Sequence, residues 1–392
     1  MRPSMPRLLA LLLLLALALP AAAGDRRDLA APLGLGTDGT IRELFLDMPI
    51  ADARAPRAGL DVRWSMANDW SAPTYAASGA KLVEIQTDEQ SDSLTLSLRA
   101  PWSRLLGPGP VVSGRPLFDR LSTTLDWRVT QHWGGWSDGT IEWWHGFAGF
   151  YNFERNQYPR NAVHVTLGEV GGKQTLDLRS AQVSFGDLAV RTQYLLADGG
   201  APLVPGQGPD ATRWGLSARL DLKAPVGRLS NLGGSGGFDA GVGLLGTYEL
   251  TSFLVAHAMA SGQWWSGFAG EQPLQPLNFH WTAEVSLALL LGPVALVVED
   301  RVVSAMFDDG GWTRVNPLPL APGQSPPSLA ASAWAATFRA QNGITGGLRW
   351  GRFTVWFAED WTPGSNPTGV YKWFYDSNAP DVEIGLGYSQ PL

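Results

Sequence analysis

Hydrophobic residues recur along this chain with a period of two. Between Phe279 and Leu291 the odd positions are Phe279, Trp281, Ala283, Val285, Leu287, Leu289 and Leu291, while the even ones begin His280, Thr282, Glu284, Ser286. Successive side chains of a strand face opposite sides, so this stretch reads as a strand with one apolar face and one that begins polar. Residues 213–223 repeat the pattern, with Trp214, Leu216, Ala218, Leu220 and Leu222 set against Arg213, Ser217, Arg219, Asp221 and Lys223. Leu60, Val62, Trp64 and Met66 alternate with Asp61, Arg63 and Ser65 in the same way. Further strands are predicted near 80–86, 92–99, 123–131, 162–168, 174–179, 186–196, 238–249, 252–265, 293–301, 334–341, 344–350, 352–360 and 382–392. Some of these merge or share a hairpin, which leaves about twelve membrane strands, within a range of about ten to fourteen. Many reach the roughly 9–11 residues that a tilted strand needs to cross a bilayer.

The start of the chain follows a different rule. Arg2 and Arg7 precede the apolar run Leu8–Leu19, which is followed by Pro20, Ala21, Ala22, Ala23 and Gly24. A charged lead, an apolar run too short to span a bilayer and small residues at its end predict a secretory signal peptide over residues 1–23, cleaved after Ala23. Beyond it no stretch is apolar and long enough for a membrane helix. The most apolar one, residues 286–298, is broken by Gly292-Pro293 and reads as two strands around a tight turn. An exported chain of this kind is either soluble or a barrel.

Composition narrows that choice. Only 17% of residues are charged, 18 are Trp and none is Cys. The absent cysteine excludes disulfides, thiolate metal sites and thiol nucleophiles. A net charge of −7 argues against a nucleic-acid partner. A soluble β-sandwich would bury the apolar faces instead, but aromatics gather near strand ends (Trp264-Trp265, Trp312, Trp350, Trp361, Trp373), as in the girdles of a barrel. The polar faces mix signs: Asp126 with Arg128, Asp187 with Arg191, Arg219 with Asp221. Together with His280 and Glu284 these are candidate lumen-facing residues. The chain also ends in a strand, with Val382, Ile384, Leu386, Tyr388 and Leu392 on one parity. The expected fold is an all-β transmembrane antiparallel barrel over residues 59–392, preceded by an irregular lead segment at 24–58. The Gly-, Pro- and Asn-rich connections 197–212, 224–236, 267–278, 304–331 and 361–380 read as its longer loops.

One block breaks the strand pattern. Residues 133–161 read WGGWSDGTIEWWHGFAGFYNFERNQYPRN, and a short aromatic helix is predicted near 137–153, capped by Ser137 or Asp138. Asp138, Glu142 and His145 fall on one face of that helix. They are expected to bond lumen residues or the nearby Arg155, Arg160 and Asn161, which makes this block the candidate plug. A carboxylate three residues before a histidine is also metal-ligand spacing, but such sites need a second helix and more carboxylates. No metal or cofactor is therefore expected.

This block, with QTLDLRSAQVSFGDLAVRTQYLL at 174–196, resembles an uncharacterised family designated domain of unknown function 3187. The resemblance rests on Gly134, Gly135, Asp138, Gly139, Ile141, Glu142, His145, Gly149, Arg155, Pro159, Arg160 and Asn161. Further on it rests on Leu176, Leu178, Ser180, Gly186, Asp187, Leu188 and Tyr194. Residues 45–49 and the pair Glu359-Asp360 look similar too. The resemblance implies an exported barrel in the outer membrane of a Gram-negative bacterium and brings no activity with it.

Enzyme motifs mostly dissolve. Gly233–Gly237 spells a nucleophile elbow, and Gly34-x-Gly36-x-x-Gly39 and Gly241-x-Gly243-x-x-Gly246 spell dinucleotide fingerprints, all without the required strand-to-helix context. No His is followed two positions later by Ser, an arrangement found in membrane-embedded lipases. The expected function is a passive or gated channel for small solutes. The alternatives are a structural or surface-interaction barrel without flux, a hydrolase using the 138–145 cluster, and a soluble glycan binder. Expected partners are membrane lipid and lipopolysaccharide and the barrel-assembly machinery, with a monomer as the expected state.

Overall fold

The computed structural model describes residues 25–35, 39–54, 57–78, 81–112, 114–148, 158–204, 211–307, 313–315, 340–360 and 382–392. The proposed signal peptide, Arg155, most of the 304–331 connection and the 361–380 connection lie outside them. Twelve strands form a closed antiparallel barrel: β1 (Gly59–Ser78), β2 (Lys81–Pro101), β3 (Leu121–Trp133), β4 (Leu188–Gly199), β5 (Trp214–Ala224), β6 (Asp239–Thr251), β7 (Leu254–Trp265), β8 (Phe279–Leu291), β9 (Val294–Val303), β10 (Gln341–Trp350), β11 (Phe353–Asp360) and β12 (Val382–Pro391). Each pairs with the next, and β12 returns to β1, where Gly59 lies opposite Pro391 and Asn68 opposite Val382. Closure leaves no sheet edge unpaired, which a sheet in lipid requires.

The twelve strands agree with the periodicity, with local differences. The segments predicted near 80–86 and 92–99 are one long strand, β2. Those predicted near 162–168 and 174–179 are not wall strands. They form a hairpin of His164–Glu169 and Gln174–Leu178 that extends the sheet from the far end of β2. Three tight turns, β6–β7, β8–β9 and β10–β11, lie at the same end of the barrel as Gly59 and Pro391. Most of the long connections lie at the other, the loop end.

Burial alternates as the sequence does, but its sense is inverted relative to a soluble protein. Along β8, Trp281, Val285 and Leu287 are exposed while Thr282, Glu284 and Ser286 are buried. Val242, Leu244, Leu296, Val298, Leu348 and Val355 extend the same apolar outer surface around the wall. A continuous apolar exterior with charges inside is the arrangement of a transmembrane barrel.

The lumen is filled by residues 25–54, the lead segment. Its described part carries two short helical turns, α1 (Arg26–Ala30), capped by the Asp25 carboxylate accepting from the Arg27 amide, and a 3-10 turn at Arg42–Leu44, and otherwise runs irregularly. Leu29, Ala30, Leu33 and Leu35 pack on Val255, Ala288, Val297 and Trp356, all inward-facing. Ile50 and Ala53 pack on Leu245 and Met259. At the loop end, Ile41, Leu44, Phe45 and Met48 join Trp265, Phe268, Phe307 and residues of the 164–178 hairpin in an apolar cap. The plug comes close to the wall where the wall has no side chain: a Cβ on Gly215 would lie 2.8 Å from the Arg54 Cα and 2.9 Å from the Ala53 carbonyl oxygen. Substitution Gly215→Val is therefore expected to leave the barrel formed, as judged by heat-shifted gel mobility, but to displace the plug. Protease cleavage within 25–58 should rise several-fold over the parent; unchanged protection would contradict this close fit.

Candidate functional site in the plugged lumen

An irregular segment brings backbone groups that no helix or sheet satisfies, and each buried one left unpaired costs free energy. The barrel answers with side chains. Glu299 accepts from the Leu33 amide, Asp239 from Leu46, Glu284 from Ile50 and the Thr247 hydroxyl from Ala53. Cations donate to the carbonyls: Arg219 to Pro49, Lys223 to Leu44, Arg191 to Asp47, Arg128 to Glu43, Arg63 to Gly34, and Arg349 to Asp28, Ala31 and Pro32. Mixed signs on the inner wall thus have a structural cause. Carboxylates meet amides, and guanidiniums meet carbonyls.

The plug has ion pairs of its own. Arg54, wholly buried, binds Asp52 at 2.9 Å and Glu249 of β6 at 2.8 Å, and Arg27 joins Asp52 at 3.0 Å. Burial works against the charge on Asp52. The Arg27 and Arg54 guanidiniums outweigh it and hold the carboxyl well below the usual carboxylate range.

One side of the plug is not sealed. Two polar cavities of about 190 and 180 Å³ lie between it and the wall, on the side that includes β1, β2 and β3. Gly34, Pro49, Arg63, Ser97, Asp126 and Arg191 line both, so the cavities abut there. The side chain of Arg191 closes the junction. It is ion-paired with Asp126 of β3 and with Asp221 of β5 at 2.6 Å, and it donates to the plug at Asp47. Small hydroxyl residues (Ser65, Ser93, Thr95, Ser97, Ser122, Thr124) surface the strands facing these cavities. The cavity nearer the chain termini is lined by eight arginines and four aspartates.

The eight candidate lumen residues from the sequence all point inward. Asp126, Arg191 and Asp221 meet in one network with Arg219, whose Nε lies 3.1 Å from Asp221. Arg128 holds Glu43, Asp187 holds Lys223 at 2.6 Å, Glu284 caps Ile50, and His280 donates from Nε2 to the Leu277 carbonyl while its Nδ1 shares a hydrogen bond with the Ser304 hydroxyl. Of the candidate plug cluster, Asp138, Glu142, Arg160 and Asn161 are placed elsewhere, which corrects the reading of 133–161 for them; Arg155 and the His145 side chain lie outside the described residues. Beyond the short helix α2 (Trp102–Leu106), helix α3 (Asp138–Ala148) lies on the outer wall. Asp138 accepts from Asn68 and from the Asn161 amide, and Glu142 pairs with Arg160 at its exposed side. The described part of that block has its polar partners on the outside of β1 and β2. Arg27, Arg54, Arg63, Glu249, Glu299 and Arg349 were not singled out from the sequence. A charge on the inward parity of an otherwise apolar strand was the available signal for Glu249, Glu299 and Arg349.

Residues 114–285 match the family of unknown function DUF3187. The match spans β3 through most of β8 and includes the α3 block, Asp187, Arg191 and Arg219, in keeping with the sequence resemblance. No curated protein matches the chain. Among solved structures, an outer-membrane channel from Pseudomonas putida F1 is similar at 12% identity and a TM-score of 0.43, covering 87% of this chain and 97% of that one. A Pseudomonas aeruginosa FadL homologue is similar at 9% identity and 0.36, covering 92% and 98%. Outer membrane phospholipase A from Escherichia coli is similar at 10% and 0.30, covering 82% and 90%. These likenesses concern barrel architecture and carry nothing about role.

A relay that the sequence did not reveal joins β2, β3 and residues 182–185. His132 Nδ1 lies 3.0 Å from Glu89 and its Nε2 lies 3.1 Å from the Ser184 hydroxyl. Antiparallel pairing of Gln182–Phe185 with the end of β3 brings these distant residues together. All three are buried, neither cavity reaches them, and Glu89 also accepts from the Thr40 hydroxyl of the plug. Among the described residues no cluster of His, Asp and Glu has the makings of a metal site.

The Asp52 network sets a pH expectation. A carboxyl depressed in the folded state contributes stability that is present above its unfolded value, about 4, and is lost as pH falls through the folded value. For this network, then, plug protection against protease holds at pH 5 and declines only in stronger acid. Arg54→Ala leaves Asp52 and Glu249 short of a counter-ion and should cost roughly 3–5 kcal/mol of plug docking, so protection is lost at neutral pH. An R54A plug as protected as the parent's would show that the pair is not what holds it.

Proposed function

We propose that this barrel is a gated pore for small hydrophilic solutes, with residues 25–58 as the gate and the Arg63–Asp126–Arg191 junction as its narrowest point. The observation that carries the reading is the asymmetry of the lumen. The plug is bonded heavily to β5–β10, while on its other side two abutting cavities are lined by hydroxyls and charges. Polar spaces of this kind admit ions and small polar molecules and exclude apolar ones. In the cavity nearer the termini, the excess of arginine over aspartate favours anions, since selectivity follows the charges nearest the path and not the net charge of the chain.

Planar-bilayer recording checks this. The parent should show small, infrequent openings with a reversal potential displaced toward anions in a salt gradient. Deleting 25–58 should raise conductance at least several-fold, and Arg191→Ala, which opens the junction, should raise it less. A parent that never conducts, with no rise on deleting the plug, would leave a barrel without flux as the surviving reading.

A second reading, hydrolysis, is favoured by the Glu89–His132–Ser184 relay, whose geometry suits a serine nucleophile with its base and orienting carboxylate. It requires the cap to open and expose Ser184. A fluorophosphonate probe should then label the parent and spare Ser184→Ala; absence of labelling in both, with the plug present or deleted, would remove this reading.

A further inference from the structure

Strand parity fixes which side chains of β1 and β2 face lipid. Leu60, Val62 and Trp64 lie on one parity of β1, and Leu94, Leu96 and Leu98 on the corresponding parity of β2, paired across the strands in register. Continuing that parity toward the loop end gives Met66, Asn68 and Trp70 on β1 and Asp92, Gln90 and Asp88 on β2. Four of these six outward positions are polar, yet Asn68, Gln90 and Asp88 are buried, as are Met66 and Trp70. What covers them is the described part of the 134–161 block. Gln90 accepts from the Ser137 hydroxyl at 2.9 Å, Asn68 donates to Ser137 and Asp138, and Trp70 meets Tyr158 edge-on. Gly135, at φ +65°, sits so close that a Cβ there would lie 2.3 Å from the Gln90 side chain.

The other face of the same block is aromatic and exposed. Trp143 and Phe147, one turn apart on α3, stack at 5.8 Å with 66% and 74% of their surfaces free, and Trp136 stands exposed beside them. Trp144 reaches Phe357 of β11, which lies in the outward row with Val355, so the helix is continuous with the lipid-facing wall. Glu142 is neutralised by Arg160 at the edge of the helix.

We propose that α3 is a membrane-interface helix: it caps a polar patch of the outer wall with its inner face and presents Trp136, Trp143 and Phe147 to lipid at the loop end of the barrel. The occupant of this aromatic face is bilayer lipid, because the face continues a wall already covered by lipid and combines Trp with Phe beside a neutralised charge pair, the composition of an interfacial belt. The proposal depends on the barrel fold and not on the pore reading.

The absence of cysteine allows a single nitroxide to be placed at will. Phe147→Cys, labelled and reconstituted in phospholipid vesicles, should collide more with oxygen than with a water-soluble nickel chelate, as should the control Leu287→Cys on the lipid face of β8. The solvent control Arg115→Cys should show the reverse. A label at 147 that behaves like the one at 115 would overturn the proposal, and so would one shielded from both reagents, which would mean that protein covers the helix. Trp136→Cys gives an independent reading if the Phe147 variant fails to show the barrel's heat-dependent gel shift.

Discussion

A segment without regular secondary structure, enclosed in a barrel, must find a partner for every backbone amide and carbonyl it carries. Most of this molecule's interior can be understood from that requirement. Helices and sheets satisfy their own polar groups, whereas the described part of residues 25–54 contains two short helical turns and little else. Their partners therefore come from outside, as carboxylates aimed at amides and guanidiniums aimed at carbonyls. A buried charge is tolerated only when paired, and the inner wall supplies these charges in interlocking sets such as Asp126–Arg191–Asp221–Arg219. Removing the plug would leave these groups to water. The same chemistry that closes the lumen would then make it hydrophilic.

The plug is held unequally around its circumference. Strands β5 to β10 contribute most of the direct bonds, while much of β1, β2 and β3 offers hydroxyls across a gap. The network at Arg191 sits at the boundary of these regimes, bonded at once to β3, β5 and the plug. Motion of the plug away from its bonded side would break many charge-assisted contacts together, whereas rearrangement at the gap involves few. The local free energy of opening therefore differs between the two sides.

Much of the wall was legible in the sequence because a strand has a simple period and a membrane barrel reverses its meaning. Trp281 and Leu287 on one parity against Glu284 and Ser286 on the other identify both the strand and its two environments. Asp187, Arg191 and Arg219 stood out as charges inside such patterns. The plug was not legible, since residues 24–58 have no period and their partners are scattered from Arg63 to Arg349. The α3 block misled for a physical reason. Its polar stripe suggested a wet lumen, because an outer wall should offer nothing polar to bond. Here Asn68 and Gln90 do, on the lipid side. The Glu89–His132–Ser184 relay was invisible because it depends on cross-strand register and not on spacing along the chain.

The position of the plug within the chain affects how the molecule assembles. It precedes every strand, yet its partners include Arg349 on β10, whose bond to the Asp28 carbonyl spans 321 residues. The seam between β1 and β12 joins the first strand made to the last. Contacts so distant in sequence form slowly. Partners for the lead segment are spread from Arg63 on the first strand to Arg349 on the tenth, so it gains its full set of bonds only as the circle nears completion. Folding of the lumen and closure of the wall are in this way a single late event, in which charges that would be costly in a finished, empty barrel are matched as they are enclosed.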